Sequence, residues 1–258
     1  MPRPILPEHP ERRPVVITGA SSGIGAATAL MLSERGFPVA LGARRVEKLD
    51  TLAAALPGEV FTHALDLADP ESVGAFAQAV TDNLGEVEVL ISNAGNLIPG
   101  TVHEADSDVF ASGIDLNILG PQRLVRAFVP GMVERCRGDL VFVSSDVANR
   151  IRPFLTSYAA GKWGLEGMVA AMQLELEGTG VRASIVRPGP TKTEMGTDWD
   201  GPSAERVINE WIKHGLARHG ALLRAEAIAG AITSIVTAPR GTHLNVIEVS
   251  PEVPVENS

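Results

Sequence analysis

Thr18-Gly19-Ala20-Ser21-Ser22-Gly23-Ile24-Gly25 follows directly on the apolar run Val15–Thr18 and leads into Ala26-Ala27-Thr28-Ala29-Leu30. A strand, a glycine-rich turn and a helix in that order decide the fold. Glycines at 19, 23 and 25 let the backbone turn tightly and come close to a pyrophosphate. The helix that follows offers free N–H groups and the positive end of its dipole. The same residues also match Gly-x-Ser-x-Gly, the nucleophile elbow of α/β-hydrolases. That elbow stands after several strands, whereas one strand and a Pro-rich lead-in precede Ser21. Its partner would have to be His214, His219 or His243, none in a telling context, so a hydrolase using Ser21 is the remote alternative.

Outward from this turn, short apolar runs alternate with longer helical patterns. The spacing predicts strands at 15–18, 39–43, 60–65, 89–92, 140–144, 183–187 and 244–249. Between them it predicts helices at 25–35, 46–56, 70–84, 107–119, 121–133, 157–177 and 224–237. Runs that are continuously apolar fit strands buried on both faces. Strand–helix alternation at this spacing makes an α/β protein with a parallel sheet between helix layers. Residues 1–13 read as a flexible lead-in and 14–258 as one domain, within the size that α/β chains fold as a unit. Residues 190–223, with Gly196, Asp198, Asp200, Gly201, Pro202 and Ser203, show no clear helix at their start. Inserted after the sixth strand, they would overhang the carboxyl ends of the strands as a substrate lid.

Composition narrows the function classes. The 22 Lys and Arg against 31 Asp and Glu give a formal charge of −9, which argues against nucleic acid as the main partner. No run of about twenty residues is apolar enough to span a bilayer, and nothing near Met1 reads as a signal peptide. A soluble, cytoplasmic protein is expected. The lone cysteine, Cys136, forms no intrachain disulfide, fits a reducing compartment and reads as structural. No metal site is expected.

The chain has a single tyrosine, Tyr158, with Lys162 four residues on. On a helix the two share a face, placing an ammonium one turn from a phenol. A phenol titrates near 10, and a neighbouring cation favours its phenolate, so Tyr158 is expected below that value. Ser145 ends the strand-like run Gly138–Ser144, thirteen residues before Tyr158, enough chain for a loop to bring the two together. By itself the Tyr-x-x-x-Lys pair fits a solvated helix face equally well.

Taken together, these residues resemble the short-chain dehydrogenase/reductase family in its single-domain form of about 250 residues. The ordered signals are Thr18-Gly19-x3-Gly23-x-Gly25, Asp66, Asn93-Ala94-Gly95, Asn117, Ser145, Tyr158-x3-Lys162 and Pro188-Gly189-x3-Thr193. They run through nearly the whole chain, from Val15 to about Val249. The resemblance implies a Rossmann-type, doubly wound, three-layer α/β/α fold with about seven parallel strands.

It also implies roles. Tyr158 would exchange a proton with a carbonyl or alcohol oxygen as hydride passes to or from a nicotinamide. Lys162 would bind the nicotinamide ribose and lower the tyrosine's pKa. Ser145 would polarise the substrate oxygen, and Asn117 would support a water leading from Lys162 toward bulk. Gly19, Ser21, Ser22, Gly23, Ile24, Gly25, Asp66, Leu67, Pro188, Gly189, Thr191 and Thr193 would line the cofactor. Asn93, Ala94 and Gly95 read equally as cofactor contacts and as supports of the sheet. A homodimer or homotetramer through helices 121–133 and 157–177 is implied. A redox-silent NADP(H) sensor is the alternative from another class, though such proteins tend to lose the catalytic residues present here.

The second strand ends Leu41-Gly42-Ala43-Arg44-Arg45. NAD-specific members of the fold place an acid here for the ribose 2′-OH. Ala43 and two arginines instead favour a 2′-phosphate, hence NADP(H), with Arg44 as the direct contact. Two surface arginines opening a helix are the plainer alternative. The pocket walls are expected from loop Asn149–Arg152 and from Met195, Trp199, Trp211 and His214. A loop arginine is expected to be solvated, with a substrate-carboxylate contact as the alternative. Val246–Glu252 departs from the Gly-Gly ending common in ketoacyl reductases and steroid enzymes, which argues against those substrates; it looks more like the ending of family members acting on hydroxy acids or varied small carbonyls.

Overall fold

The computed structural model describes residues 8–196, 199–216 and 220–253; Asp198 and His219, named above, lie outside them. Strands β1 (Val15–Thr18), β2 (Val39–Ala43), β3 (Val60–Ala64), β4 (Val89–Ser92), β5 (Gly138–Val143), β6 (Val181–Pro188) and β7 (Val246–Val249) form one sheet. All neighbours are parallel, in the order β3-β2-β1-β4-β5-β6-β7. Chain direction across the sheet reverses between β1 and β4, and that switch point opens a crevice at the strands' carboxyl ends.

Both faces of the central strands are apolar, so each needs its own helix layer. Val16, Leu90, Leu140 and Phe142 pack with Phe76 of α3 (Pro70–Leu84), Leu124 of α5 (Gly120–Glu134) and Leu165 of α6 (Thr156–Glu175). Val15, Ile17, Ile91 and Val141 pack with Leu32 of α1 (Gly23–Ser33), Leu49 of α2 (Val46–Ala53) and Ile232 of α8 (Ala225–Val236). Phe76 and Phe142 are fully buried; each such side chain contributes roughly 1.5–3 kcal/mol by leaving water. The result is the expected three-layer, doubly wound sheet.

The differences from the sequence expectation are local. β3 and β7 are the sheet edges and only partly covered, so burial on both faces holds for the inner strands alone. β5 begins at Gly138 and β6 at Val181, earlier than predicted, while β7 begins later, at Val246. The single helix expected over 107–119 is α4 (Ser107–Ile114) followed by a π-turn, Asp115–Leu119. The segment after β6, expected to be a lid without a clear helix at its start, contains a regular helix, α7 (Gly201–Lys213), started by Asp200, whose carboxylate accepts from Ser203 N at 2.8 Å. Arg12 and Arg13, placed in the lead-in, are tied down. Arg12 donates to Leu84 O at 2.7 Å, and Arg13, ion-paired with buried Asp139, donates to Val236 O at 2.7 Å. Cys136 is exposed in a left-handed conformation (φ 53°) between α5 and β5, rather than packed as a structural thiol.

Candidate active site

The crevice at the switch point has a volume of about 670 Å³. Its floor is the first glycine turn, where Gly19 (φ 65°) and Gly23 (φ 54°) take left-handed backbone conformations that side chains resist. At the N-termini of α3, α4 and α7, an aspartate side chain accepts backbone N–H groups. At α1 the cap residue Ser22 makes no such bond, and the first turn holds no acid. The start of α1, which faces the crevice at Ser22 and Gly23, therefore keeps its N–H groups and positive dipole for an anion.

Gly25 does not line the crevice, against expectation. It lies behind Gly19, where an added Cβ would meet Gly19 O at 2.4 Å, so its role is close packing beneath the turn. The other predicted cofactor residues all line the crevice: Gly19, Ser21, Ser22, Gly23, Ile24, Arg44, Arg45, Asp66, Leu67, Asn93, Ala94, Gly95, Tyr158, Lys162, Pro188, Gly189, Thr191 and Thr193. Asn93 Nδ2 donates to Thr18 O at 2.9 Å, while Asn93 N and Ala94 N both donate to Thr18 Oγ1 at 3.1 Å. The segment thus fastens β4 to β1 and also presents Ala94 and Gly95 to the crevice.

Ser145 at the end of β5 and Tyr158 and Lys162 on α6 converge at the inner wall. Tyr158 is only 6% exposed, in a buried cluster with Val147, Leu155 and Ala159 against which Trp199 and Trp211 pack. The Lys162 ammonium lies 5.6 Å from the centre of the Tyr158 ring and donates to Val143 O at 2.8 Å. Asn117 sits in the π-turn, one layer behind, where Nδ2 donates to Gly113 O at 2.9 Å and to Asn96 O at 3.2 Å. Its Oδ1 is buried with no protein partner. A Cβ built on Gly95 would stand 2.8 Å from that oxygen and 3.4 Å from Lys162 Nζ, so the two polar atoms border the same small space.

At the outer end, Arg45 donates to Ser21 Oγ at 2.9 Å, to Ser22 Oγ at 3.0 Å and to Glu194 at 2.7 Å; Lys48 donates to Glu194 at 2.8 Å. These hydrogen bonds hold the Glu194 carboxyl down at about 2. Arg44 lines the crevice, exposed and without an ion pair among the described residues. Ser21, the nucleophile of the hydrolase alternative, is held by Arg45, and no described histidine lines the crevice.

A family model described as short chain dehydrogenase matches residues 13–202. The chain belongs to the short-chain dehydrogenase family. It is 34% identical over 242 residues to the glycine betaine reductase of Emericella nidulans, covering 92% of this chain but only 18% of that protein. Among solved structures it is similar to an alcohol dehydrogenase from the archaeon Thermococcus sibiricus complexed with 5-hydroxy-NADP. That match has a TM-score of 0.80 and 30% identity, covering 94% of this chain and 100% of that one. A metagenomic short-chain oxidoreductase in complex with NADP matches with a TM-score of 0.76 and 30% identity, over 94% and 98% of the two chains. For a short-chain dehydrogenase, the uncapped α1 start, the side-chain-free cradle at Gly19, Gly23 and Gly95 and the orphaned Asn117 oxygen fit a nicotinamide dinucleotide.

Two expectations need correction. Tyr158 is pushed up to about 12, not down. Burial disfavours the phenolate most; the hydrogen bond from Ser145 and the charge of Arg152 lower the value, and Asp146 raises it. Lys162 is not among the charges that move it: burial draws Lys162 itself down to about 8, and one of its N–H groups is directed at Val143 O. The second correction is in the pocket walls. Met195, Trp199 and Trp211 line the crevice as expected, but His214 stands at the C-terminus of α7, beside Glu210. Asn149 and Arg150 turn to Glu248 instead, and Arg152, expected to be solvated, is inside. Sequence reasoning passed over Asp146, the partner of Arg152, although it directly follows Ser145.

Proposed function

We propose that this protein is an NADP(H)-dependent oxidoreductase that interconverts a ketone or aldehyde and its alcohol, with Tyr158 as the acid–base group. The observation that carries the reading is the convergence of Ser145, Tyr158 and Lys162 on one wall of a crevice whose far end holds the uncapped start of α1 and the free Arg44. When bound, the nicotinamide supplies or takes up the hydride.

The protein's own part is proton handling and placement. Burial keeps the Tyr158 phenol protonated at neutral pH, ready to donate to a carbonyl oxygen as negative charge develops there. The Ser145 hydroxyl donates to the same oxygen and stabilises that charge. Lys162, buried yet easily deprotonated, restores the proton to Tyr158 in concert with Asn117, whose free Oδ1 borders the same space. Arg44 and Arg45 meet the 2′-phosphate, the latter exchanging Glu194 for it. Pro188, Gly189, Thr191 and Thr193 carry the lid over the nicotinamide; Thr191 Oγ1 donates to Gly189 O at 2.8 Å.

A homo-oligomer through α5 and α6 belongs to the same proposal. Trp163 and Leu174 on α6, 52% and 76% exposed, give its outer face apolar side chains to bury. We assign the protein to a reducing cytoplasm, consistent with its one cysteine.

The test is a panel of aldehydes and ketones with NADPH, followed by loss of reduced-cofactor absorbance. Turnover of at least one carbonyl, faster with NADPH than with NADH, is expected. Tight NADPH binding with no turnover across the panel would favour the sensor instead.

A further inference from the structure

The substrate end of the crevice holds one pair of opposite charges among walls that are otherwise uncharged and largely apolar. Arg152 donates through Nη1 and Nη2 to both oxygens of Asp146, at 2.8 and 2.5 Å, with side chains 12% and 8% exposed. Its guanidinium lies 5.7 Å from the Trp211 ring centre. The other charged side chains lining the crevice are Arg44, Arg45, Asp66 and Glu194 around the first three strand ends and the lid's start, and Lys162, which is committed to Val143 O. The aromatic walls also have their polar handles occupied. Trp211 Nε1 donates to Pro153 O at 2.9 Å and Trp199 Nε1 to Leu97 O at 3.4 Å, so the indoles offer the pocket carbon surface. Leu97, Ile98, Leu155 and Met195 extend that surface around Tyr158.

We infer that this pocket takes neutral, apolar carbonyl compounds, aryl or branched alkyl, and excludes carboxylates, with Asp146 setting that specificity by neutralising Arg152. The inference rests on the carbonyl–alcohol reading above and adds its substrate class. A bidentate pair in a desolvated wall is favourable only while both members keep their partner. A substrate carboxylate seeking Arg152 would have to displace Asp146, leaving that buried carboxylate unpaired beside a second negative charge. A neutral ring or alkyl group displaces nothing and gains contact with Trp199 and Trp211. Selectivity thus comes from a penalty on the wrong ligand as much as from attraction to the right one. The two charges also act in opposite directions on Tyr158, Asp146 raising its pKa and Arg152 lowering it.

The test compares acetophenone, benzoylformamide and benzoylformate as substrates with NADPH; the last two differ in charge and hardly in size. In the unmodified protein, kcat/KM for the two neutral ketones should exceed that for benzoylformate by about tenfold or more. Asp146→Asn preserves volume but leaves Arg152 with an uncompensated charge. The ratio of benzoylformate to benzoylformamide should then rise by about tenfold. Equal or better use of benzoylformate by the unmodified protein overturns the inference, as does a folded Asp146→Asn protein with an unchanged ratio. Should that variant not fold, the unmodified comparison decides, supported by inhibition with benzoate against benzamide, where benzamide should bind more tightly. Failure of every carbonyl, small aldehydes included, to oxidise NADPH would overturn the reaction class and this inference with it. Turnover with benzoylformate preferred would spare the reaction class and overturn only the pocket assignment.

Discussion

The Lys162 ammonium stands 5.6 Å from the Tyr158 ring centre yet gives its hydrogen bond to Val143 O. Proximity of a cation is therefore not what sets the phenol's acidity. Burial is, and it acts on both groups in opposite directions: up to about 12 for the tyrosine and down to about 8 for the lysine.

Because Tyr158 is the only tyrosine, its ionisation is visible without competing phenols. Ultraviolet titration of the cofactor-free protein should show a tyrosinate midpoint well above the usual 10, with Lys162→Met leaving it almost in place. Arg152→Met should move it up and Asp146→Asn down, following the signs of those charges. A parent midpoint at or below 10 would refute control by burial.

Lys162 gives a stability signature in an earlier pH window. Its folded pKa, about 8, lies below the ordinary 10.5. Between those values the unfolded chain holds a proton that the folded protein has released, so the lysine's contribution favours folding increasingly as pH rises. Urea unfolding from pH 7 to 10 should show this rise in the parent and its loss in Lys162→Met. Parallel curves for the two proteins would count against a depressed lysine.

Tyr158→Phe removes the proton donor and keeps the ring that packs on Leu155 and Trp211. Turnover should fall by about a hundred- to ten-thousand-fold, with NADPH affinity nearly unchanged in fluorescence titration. A variant that reduces carbonyls at the parent rate would exclude Tyr158 as the acid.

Arg44→Asp places a carboxylate where the free cation stands. NADPH should bind about tenfold or more weakly, the scale of a lost charge-assisted hydrogen bond, while NADH holds or improves. Equal affinity of the unmodified protein for both cofactors would remove the basis for assigning Arg44 to a 2′-phosphate.

Gly25→Ala drives a methyl group against Gly19 O, a backbone atom without room to yield. Overpacking of this kind costs roughly 1–3 kcal/mol. The melting temperature and NADPH affinity should both fall. An unchanged melt would mean that the turn is looser than its geometry.

The strands and the first turn were legible because their signals are local: unbroken apolar runs, and glycines at positions where backbone comes against backbone. What escaped depends on distant partners. Gly201-Pro202 reads as loop until Asp200 is seen capping a helix with Pro202 in its first turn. The π-turn at Asn117 is accompanied by its side-chain bond to Gly113 O, which no periodicity reports. The sign of the Tyr158 shift depends on its burial, in a cluster against which Trp199 and Trp211 pack from more than forty residues further on. Asp146 went unremarked because its meaning lies in Arg152, six positions later across a short 3-10 turn, Asp146–Ala148.

Cys136 sits at the entrance to β5, while the crevice opens at the strands' opposite ends. As the chain's single thiol, and an exposed one, it offers one chemically unique point of attachment. A maleimide dye or a gold surface coupled there holds the molecule by its back and leaves the reactive mouth facing outward. Immobilised protein should therefore turn over substrate as freely as protein in solution.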